Sequence, residues 1–229
     1  MNDTLVFQKA IATLIAEWKG DKSASHAEVP KWILPPRSCD LLQALCSGMQ
    51  KPITAFEFGS GRSTHALRAV CESVVSVEDS PEWLAKTEAA PNAVPKRPSD
   101  ITEVVPLTHC WNRLRIIESF DIACNPALLA SLEASSLILV DSPPNPAKRE
   151  HALFQALDHA NEGTLVVIDD LNVGATKRFC ERLARQNPGT LDFWLLSFDH
   201  GLGVFLKLTA QPIKSRPRLR EFVGAWMRL

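Results

Sequence analysis

The chain has 229 residues, 45% apolar and 22% charged side chains, and a net charge of −1. That size and balance fit a globular domain with one sizeable core and exclude a disordered or fibrous chain. The near-zero charge gives no global attraction to nucleic acid or an anionic membrane, and no apolar run is long enough to span a bilayer.

Residues 3–18 read as an amphipathic helix, capped by Asp3 and ended by Gly20. Polar, proline-containing residues 21–37 read as loop, and 38–49 as a second helix. The first strong strand is 53–58 (ITAFEF), followed by a glycine-rich turn at 59–61 and a helix over 63–71. A strand over 74–77 ends at Glu78, and Ser80 caps the next helix with Pro81 at its first position. Pro91, Pro95 and Pro98 make 91–99 an exposed loop. Residues 101–107 suit a third strand, and 108–130 show no clear period. Apolar runs at 136–140 and 164–168 are strands ending at Asp141 and at Asp169-Asp170, with helices over 148–160 and 175–186. Segments 191–198 and 203–208 face each other across Asp199-His200-Gly201, a hairpin signal, and a short amphipathic helix over 218–227 closes the chain.

This alternation predicts a Rossmann-like, doubly wound α/β fold. Its sheet is mostly parallel, with helices on both faces and an antiparallel strand from the C-terminal hairpin at one edge. Residues 1–50 form a helical cap or substrate region, 51–210 the cofactor-binding core, and 211–229 a basic linker and helix, all in one compact unit. Asp3 falls where a secretion signal needs positive charge, and Gln8, Lys9 and Glu17 interrupt the apolar run after it. The six cysteines lack C-x-x-C spacing, so six reduced thiols in a cytoplasmic protein are expected. A homodimer through the N- or C-terminal helices stays open.

Ligands on such sheets sit at the carboxyl ends of the strands. Glu57, Glu78, Asp141 and Asp169-Asp170 place acids at four strand ends. In EFGSGRST (57–64), Gly59 and Gly61 let the backbone approach a ligand, but Thr64 stands where the third glycine of a dinucleotide fingerprint belongs. A carboxylate at Glu57 repels a pyrophosphate and attracts an ammonium or sulfonium. Its alternative role is pairing with Arg62 or Arg68. Glu78 stands where an acid accepts ribose hydroxyls, or else assists the helix cap at Ser80.

The run FEFGSGRST, VVSVEDSPEW, LILVDSPP and GTLVVIDDLN resembles the class I S-adenosylmethionine-dependent methyltransferases, especially small-molecule and O-methyltransferase-like branches, over about residues 52–208. The resemblance implies that Glu57, Gly59, Ser60 and Gly61 hold the methionine moiety, with Ser63 and Thr64 starting the helix beside it. It places Glu78 on the ribose, Asp79 and Ser80 along the adenosine, and Asp141 beside the sulfonium and a small-molecule acceptor. Trp111 or His109 would supply adenine contacts. Two chemistries are open for the acceptor. Asp141, His151 or His200 could act as general base, or Asp141, Asp169, Asp170 and Asn172 could hold Mg²⁺. The chain lacks tyrosine, and Asp141-Ser142-Pro143-Pro144 is not the N-P-P-Y pattern of amino methyltransferases. The rival readings are an NAD(P)-dependent oxidoreductase and a non-catalytic Rossmann-like binding or assembly protein. His65, Arg149, Arg178 and Arg182 read as solvated helix positions, and the basic stretch 214–220 as a solvated linker.

Overall fold

Buried backbone polar groups must be paired, so continuous apolar runs in this chain become central strands, covered by amphipathic helices on both sides. The computed structural model describes residues 3–20, 34–49, 52–112 and 115–214. The first half contains α1 (Asp3–Gly20), α2 (Pro36–Gly48), β1 (Thr54–Phe58), α3 (Arg62–Arg68), β2 (Ser73–Glu78), α4 (Pro81–Glu88) and β3 (Ile101–Val104). There follow β4 (Thr108–Asn112), β5 (Arg115–Ser119), α5 (Pro126–Ala134), β6 (Leu137–Val140), α6 (Pro146–His159), β7 (Leu165–Ile168), α7 (Gly174–Gln186), β8 (Leu191–Leu196) and β9 (Leu202–Lys207).

Seven strands form one sheet in the order β3-β2-β1-β6-β7-β9-β8. The first five of these are parallel, and β9 runs antiparallel to both β7 and β8. The antiparallel strand therefore lies inside the sheet and not at the edge, where the hairpin signal placed it. The crossover through α7 carries β8 past a gap beside β7, and the hairpin returns β9 into that gap. All six residues of β9 are buried there, whereas the middle of β8, now the edge strand, is only half-buried. Strand order reverses between β1 and β6, which opens the crevice where α/β sheets bind ligands.

α1, α2 and α3 cover one face through Ile11, Ile15, Leu41, Leu45 and Leu67. α5, α6 and α7 cover the other through Leu128, Leu132, Leu153, Leu157, Phe179 and Leu183. Each such side chain contributes roughly 1.5–3 kcal/mol by leaving water. β3 stops at Val104 because Pro106 has no N–H for a ladder. Residues 108–119 form a separate antiparallel hairpin, β4 against β5. It leans on α6 through the Ser119 Oγ bond to the Lys148 carbonyl (2.9 Å) and the Lys148–Glu118 ion pair (2.8 Å).

All six cysteines are free thiols, five of them buried. No helix among the described residues is long and apolar enough to cross a membrane. Most of the loop expected at 21–37, the basic stretch beyond Lys214 and the terminal helix lie outside the described residues.

Candidate active site

The β1–α3 loop is built around one glycine. Gly59 has φ +101°, a conformation L side chains rarely adopt, and a Cβ there would stand 2.9 Å from the Ser142 Cβ. The loop is thus pressed against the end of β6. Its three N–H groups are all engaged. Gly59 N donates to the Val77 carbonyl (2.8 Å), Ser60 N to Glu78 Oε2 (2.8 Å) and Gly61 N to Thr64 Oγ1 (2.9 Å). The Trp83 indole N–H, from α4, donates to the Ser60 carbonyl at 2.6 Å and ties the loop down from the β2 side.

Two carboxylates flank this loop. Glu57, in the middle of an apolar strand, is wholly buried, and its oxygens accept from Ser76 Oγ (2.6 Å) and Ser63 Oγ (3.0 Å). Burial pushes its pKa up to about 7, with the two serine hydroxyls, Thr64 and the more distant Arg68 pulling the other way. Arg68 is committed elsewhere, to a bidentate pair with Glu88 at 2.7 and 3.0 Å. Glu57 is therefore not half of an Arg68 salt bridge; it is a carboxyl held by hydroxyls under the loop. Glu78 accepts from Ser60 N and from Ser60 Oγ (2.9 Å) on one oxygen and from Ser80 N (3.1 Å) on the other. Burial raises its pKa as well. The cap of α4 is made by Ser80 Oγ, which accepts from Trp83 N at 3.1 Å.

Beyond the switch point, the ends of β6 and β7 bring Asp141, Asp169 and Asp170 together around one guanidinium. Arg149, from α6, has a side chain 4% exposed and lies 2.7 Å from Asp170 Oδ2 and 3.6 Å from Asp141 Oδ1. It also donates to the main-chain carbonyls of Pro143 (3.2 Å), Asp169 (3.3 Å) and Asp141. Burial, and then the charge of Asp169, push the Asp141 carboxyl well above the usual carboxylate range, against the pull of Arg149. Asp170 sits at φ +64°, which a short polar side chain tolerates.

The β8–β9 turn closes the cluster. Leu171 N and Asn172 N donate to the carbonyls of Gly201 and His200 at 2.9 Å each, so the turn docks on the loop after β7. His200 Nδ1 then lies 3.8 Å from Asp169 and 3.7 Å from Asp170. Asp169 raises the His200 pKa above the ordinary imidazole value. Asp169 is buried, and its Oδ1 has no hydrogen-bond partner among the described residues.

No protein-family model matches the chain, and neither does any curated protein. Solved structures do match. One is a Staphylococcus aureus protein provisionally described as a caffeoyl-CoA O-methyltransferase, 15% identical, with 89% of this chain and 99% of that chain covered and a TM-score of 0.53. A Podospora anserina methyltransferase with S-adenosylhomocysteine bound is 16% identical, with 85% and 87% covered and a TM-score of 0.53. A Geobacter sulfurreducens methyltransferase is 12% identical, with 88% and 90% covered and a TM-score of 0.52. The chain shares the fold of these methyltransferases.

Within this fold, Glu57, Gly59, Ser60, Gly61, Ser63, Thr64, Glu78 and Ser80 gather around the loop on the β1–β2 side, and Asp141, Asp169, Asp170 and His200 form a second, charged group at β6–β7. Asp79 follows β2 and is half-buried. α2 lies over both clusters. Ser38 Oγ donates to Asp199 in the turn (3.1 Å), and the Cys39 thiol, pushed up to about 12 by burial, feels the charges of Arg62, Asp141 and Glu57. His151 is not drawn into the acid cluster; burial lowers its pKa, and the charge acting on it is Asp121. The expected metal set is not assembled as a cage, because Arg149 stands between Asp141 and Asp170 and the Asn172 amide donates to the Asp199 carbonyl at 2.8 Å.

Three other positions differ from the sequence reading. Arg149 and Arg182 are buried rather than solvated. His65 bridges two segments, with Nδ1 accepting from Val94 N (3.1 Å) and Nε2 placed to donate to the Thr87 carbonyl (3.0 Å). His109 is exposed on the β4–β5 hairpin, and the Trp111 side chain lies outside the described residues. Arg149 and Trp83 were missed. The signal for Arg149 was available, since Ala152 and Leu153 stand three and four residues on and are fully buried, so the apolar stripe of α6 extends one turn back to it.

Proposed function

We propose that this chain is an S-adenosylmethionine-dependent methyltransferase that moves a methyl group to an oxygen of a small-molecule acceptor. The observation that carries the reading is the state of the β1–α3 loop. Its N–H groups are already bonded inside the protein, and one of them to a carboxylate. A pyrophosphate arriving there finds no free N–H at Gly59, Ser60 or Gly61 and meets the Glu78 carboxylate and the field of buried Glu57, which disfavours a dinucleotide. An ammonium and a pair of ribose hydroxyls meet a negative field and a carboxylate acceptor, the chemistry they need. The similarity to O-methyltransferase folds supports the choice of oxygen.

When bound, S-adenosylmethionine supplies an electrophilic methyl carbon. The residues around it do the rest. Gly59, Ser60 and Gly61 shape the floor under the methionine end, with Ser63 and Thr64 at the helix start. Glu57 acts through its field and through Ser63, since it has no exposed surface. Glu78 exchanges its bond with Ser60 Oγ for the ribose hydroxyls, beside Asp79 and Ser80. Asp141 faces the acceptor side of the switch point. His200 is the base: Nδ1 is turned to Asp169 and Asp170, so Nε2 is the nitrogen that takes the acceptor's hydroxyl proton. Asp169 orients the ring and stabilises its protonated form.

The test is transfer of labelled methyl from S-adenosylmethionine to a panel of hydroxylated small molecules. His200→Asn should lower kcat by roughly 10²–10⁴-fold while leaving the affinity for the adenosyl ligand nearly unchanged. Full activity in that variant removes His200 as the base. Tight binding of the adenosyl ligand with no transfer to oxygen, nitrogen or carbon acceptors leaves the non-catalytic binding reading in its place.

A further inference from the structure

Resting on the methyltransferase reading, a further property of the acceptor side comes from Arg149. Acids at the ends of β6 and β7 are the donor set that a divalent cation would use. In this chain a cation is already among them, and it is covalently part of α6. Its guanidinium has five N–H donors in a fixed fork. One side of the fork reaches Asp170 Oδ2 and the Asp169 carbonyl, and the other reaches the Asp141 carbonyl and lies 3.6 Å from its carboxylate. Nε donates to the Pro143 carbonyl, so two strand ends and the loop between them are tied to one side chain. Four of the five donors are thus bonded within the protein, and the fork faces two carboxylates. A divalent ion among the same oxygens would stand beside a buried positive charge. On the opposite side, ligand atoms of Asp169, Asp170 and His200 lie within 4.8 Å of one another, a grouping that could itself take a cation, but one whose Asp170 carboxylate is already paired with the guanidinium.

We propose that Arg149 is a built-in replacement for the metal ion, a positioning residue that holds Asp141 and Asp170 at the acceptor site and makes methyl transfer independent of divalent cations. The chain's own residues then have to remove the acceptor's proton, because no Lewis acid lowers its pKa. The acceptor also needs no pair of adjacent oxygens to chelate a metal, so isolated hydroxyls qualify as substrates.

Mn²⁺ is the probe, read by electron paramagnetic resonance on EDTA-dialysed full-length protein without any adenosyl ligand. Wild-type protein should leave millimolar Mn²⁺ free. Arg149→Gln, shorter and uncharged, opens the acids to a cation, and Mn²⁺ affinity should rise by about tenfold or more as the guanidinium charge is removed. Arg149→Lys keeps the charge, should stay Mn²⁺-free, and serves as the folded comparison where the neutral variant is unstable. Binding of Mn²⁺ by wild-type protein at micromolar concentrations overturns the proposal, as does a folded Arg149→Gln that gains no affinity. Loss of methyl transfer on EDTA treatment overturns it too. Failure of adenosyl ligands to bind would instead strike the methyltransferase reading and leave the Mn²⁺ result standing.

Discussion

Glu57→Gln is expected to make the protein more stable at alkaline pH and worse at holding a cationic ligand. The carboxyl titrates near 4.5 when exposed and at about 7 in the fold, because burial opposes its charge. The folded state therefore keeps a proton that the unfolded state has lost between those two values. Stability falls as pH rises through that window, and the loss is complete above about pH 8, at roughly 3 kcal/mol for a shift of this size. Gln is close to isosteric, can bond Ser63 and Ser76, and does not ionise. Denaturant unfolding should show the variant more stable than wild type by about that amount at pH 8, with the gap closing toward pH 5. Ligand binding should move the other way. A bound ammonium favours the ionised carboxyl, so wild-type affinity for S-adenosylhomocysteine should rise between pH 6 and 8, while the variant stays flat and about tenfold or more weaker at pH 8. Equal stability of the two proteins at pH 8 contradicts the assignment of Glu57 as a buried acid kept for function.

Gly59→Ala should disable both the loop and the fold around it. Two penalties coincide at this position. An L residue at φ +101° is strained by about 1–3 kcal/mol. Its Cβ also falls 2.9 Å from the Ser142 Cβ, a rigid neighbour followed by Pro143, and relief requires the β1–α3 loop or the end of β6 to move, adding roughly 1–3 kcal/mol. Either movement separates Ser60 from Glu78 or shifts Asp141, so adenosyl ligand affinity should fall by at least about a hundredfold even where the protein still folds. Gly61→Ala is the control. A Cβ there meets only the Trp83 Nε1 atom, at 3.9 Å, and the variant should lose little stability. Comparable thermal midpoints for the Gly59 and Gly61 variants would contradict the close packing of the loop on β6.

Much of this site was legible because its chemistry sits at the ends of apolar runs. Glu57 and Asp141 interrupt or end stretches too hydrophobic to be anything but buried strands, and a parallel sheet brings all such ends to one side. The position of β9 was not legible. A hairpin signal says that two strands pair, not which of them meets the rest of the sheet. His200 reads as a turn residue and is one, but the turn docks on Leu171 and Asn172, a contact between segments about 30 residues apart with no local trace. Lys148-Arg149-Glu150 looks like a solvated face, and the three acids that bury Arg149 come from two different strands. Residues 108–119 lack the Asn-Gly or Asp-Gly turn that announces a hairpin, so β4 and β5 stayed hidden.

Isothermal titration of the wild-type protein with S-adenosylhomocysteine and, in parallel, with NAD tests the central claim most directly. The closed donor set of the β1–α3 loop and the carboxylates at Glu57 and Glu78 predict micromolar binding of S-adenosylhomocysteine and none of NAD, with the adenosyl affinity falling in Glu78→Ala. Binding of NAD with no adenosyl ligand bound would contradict it.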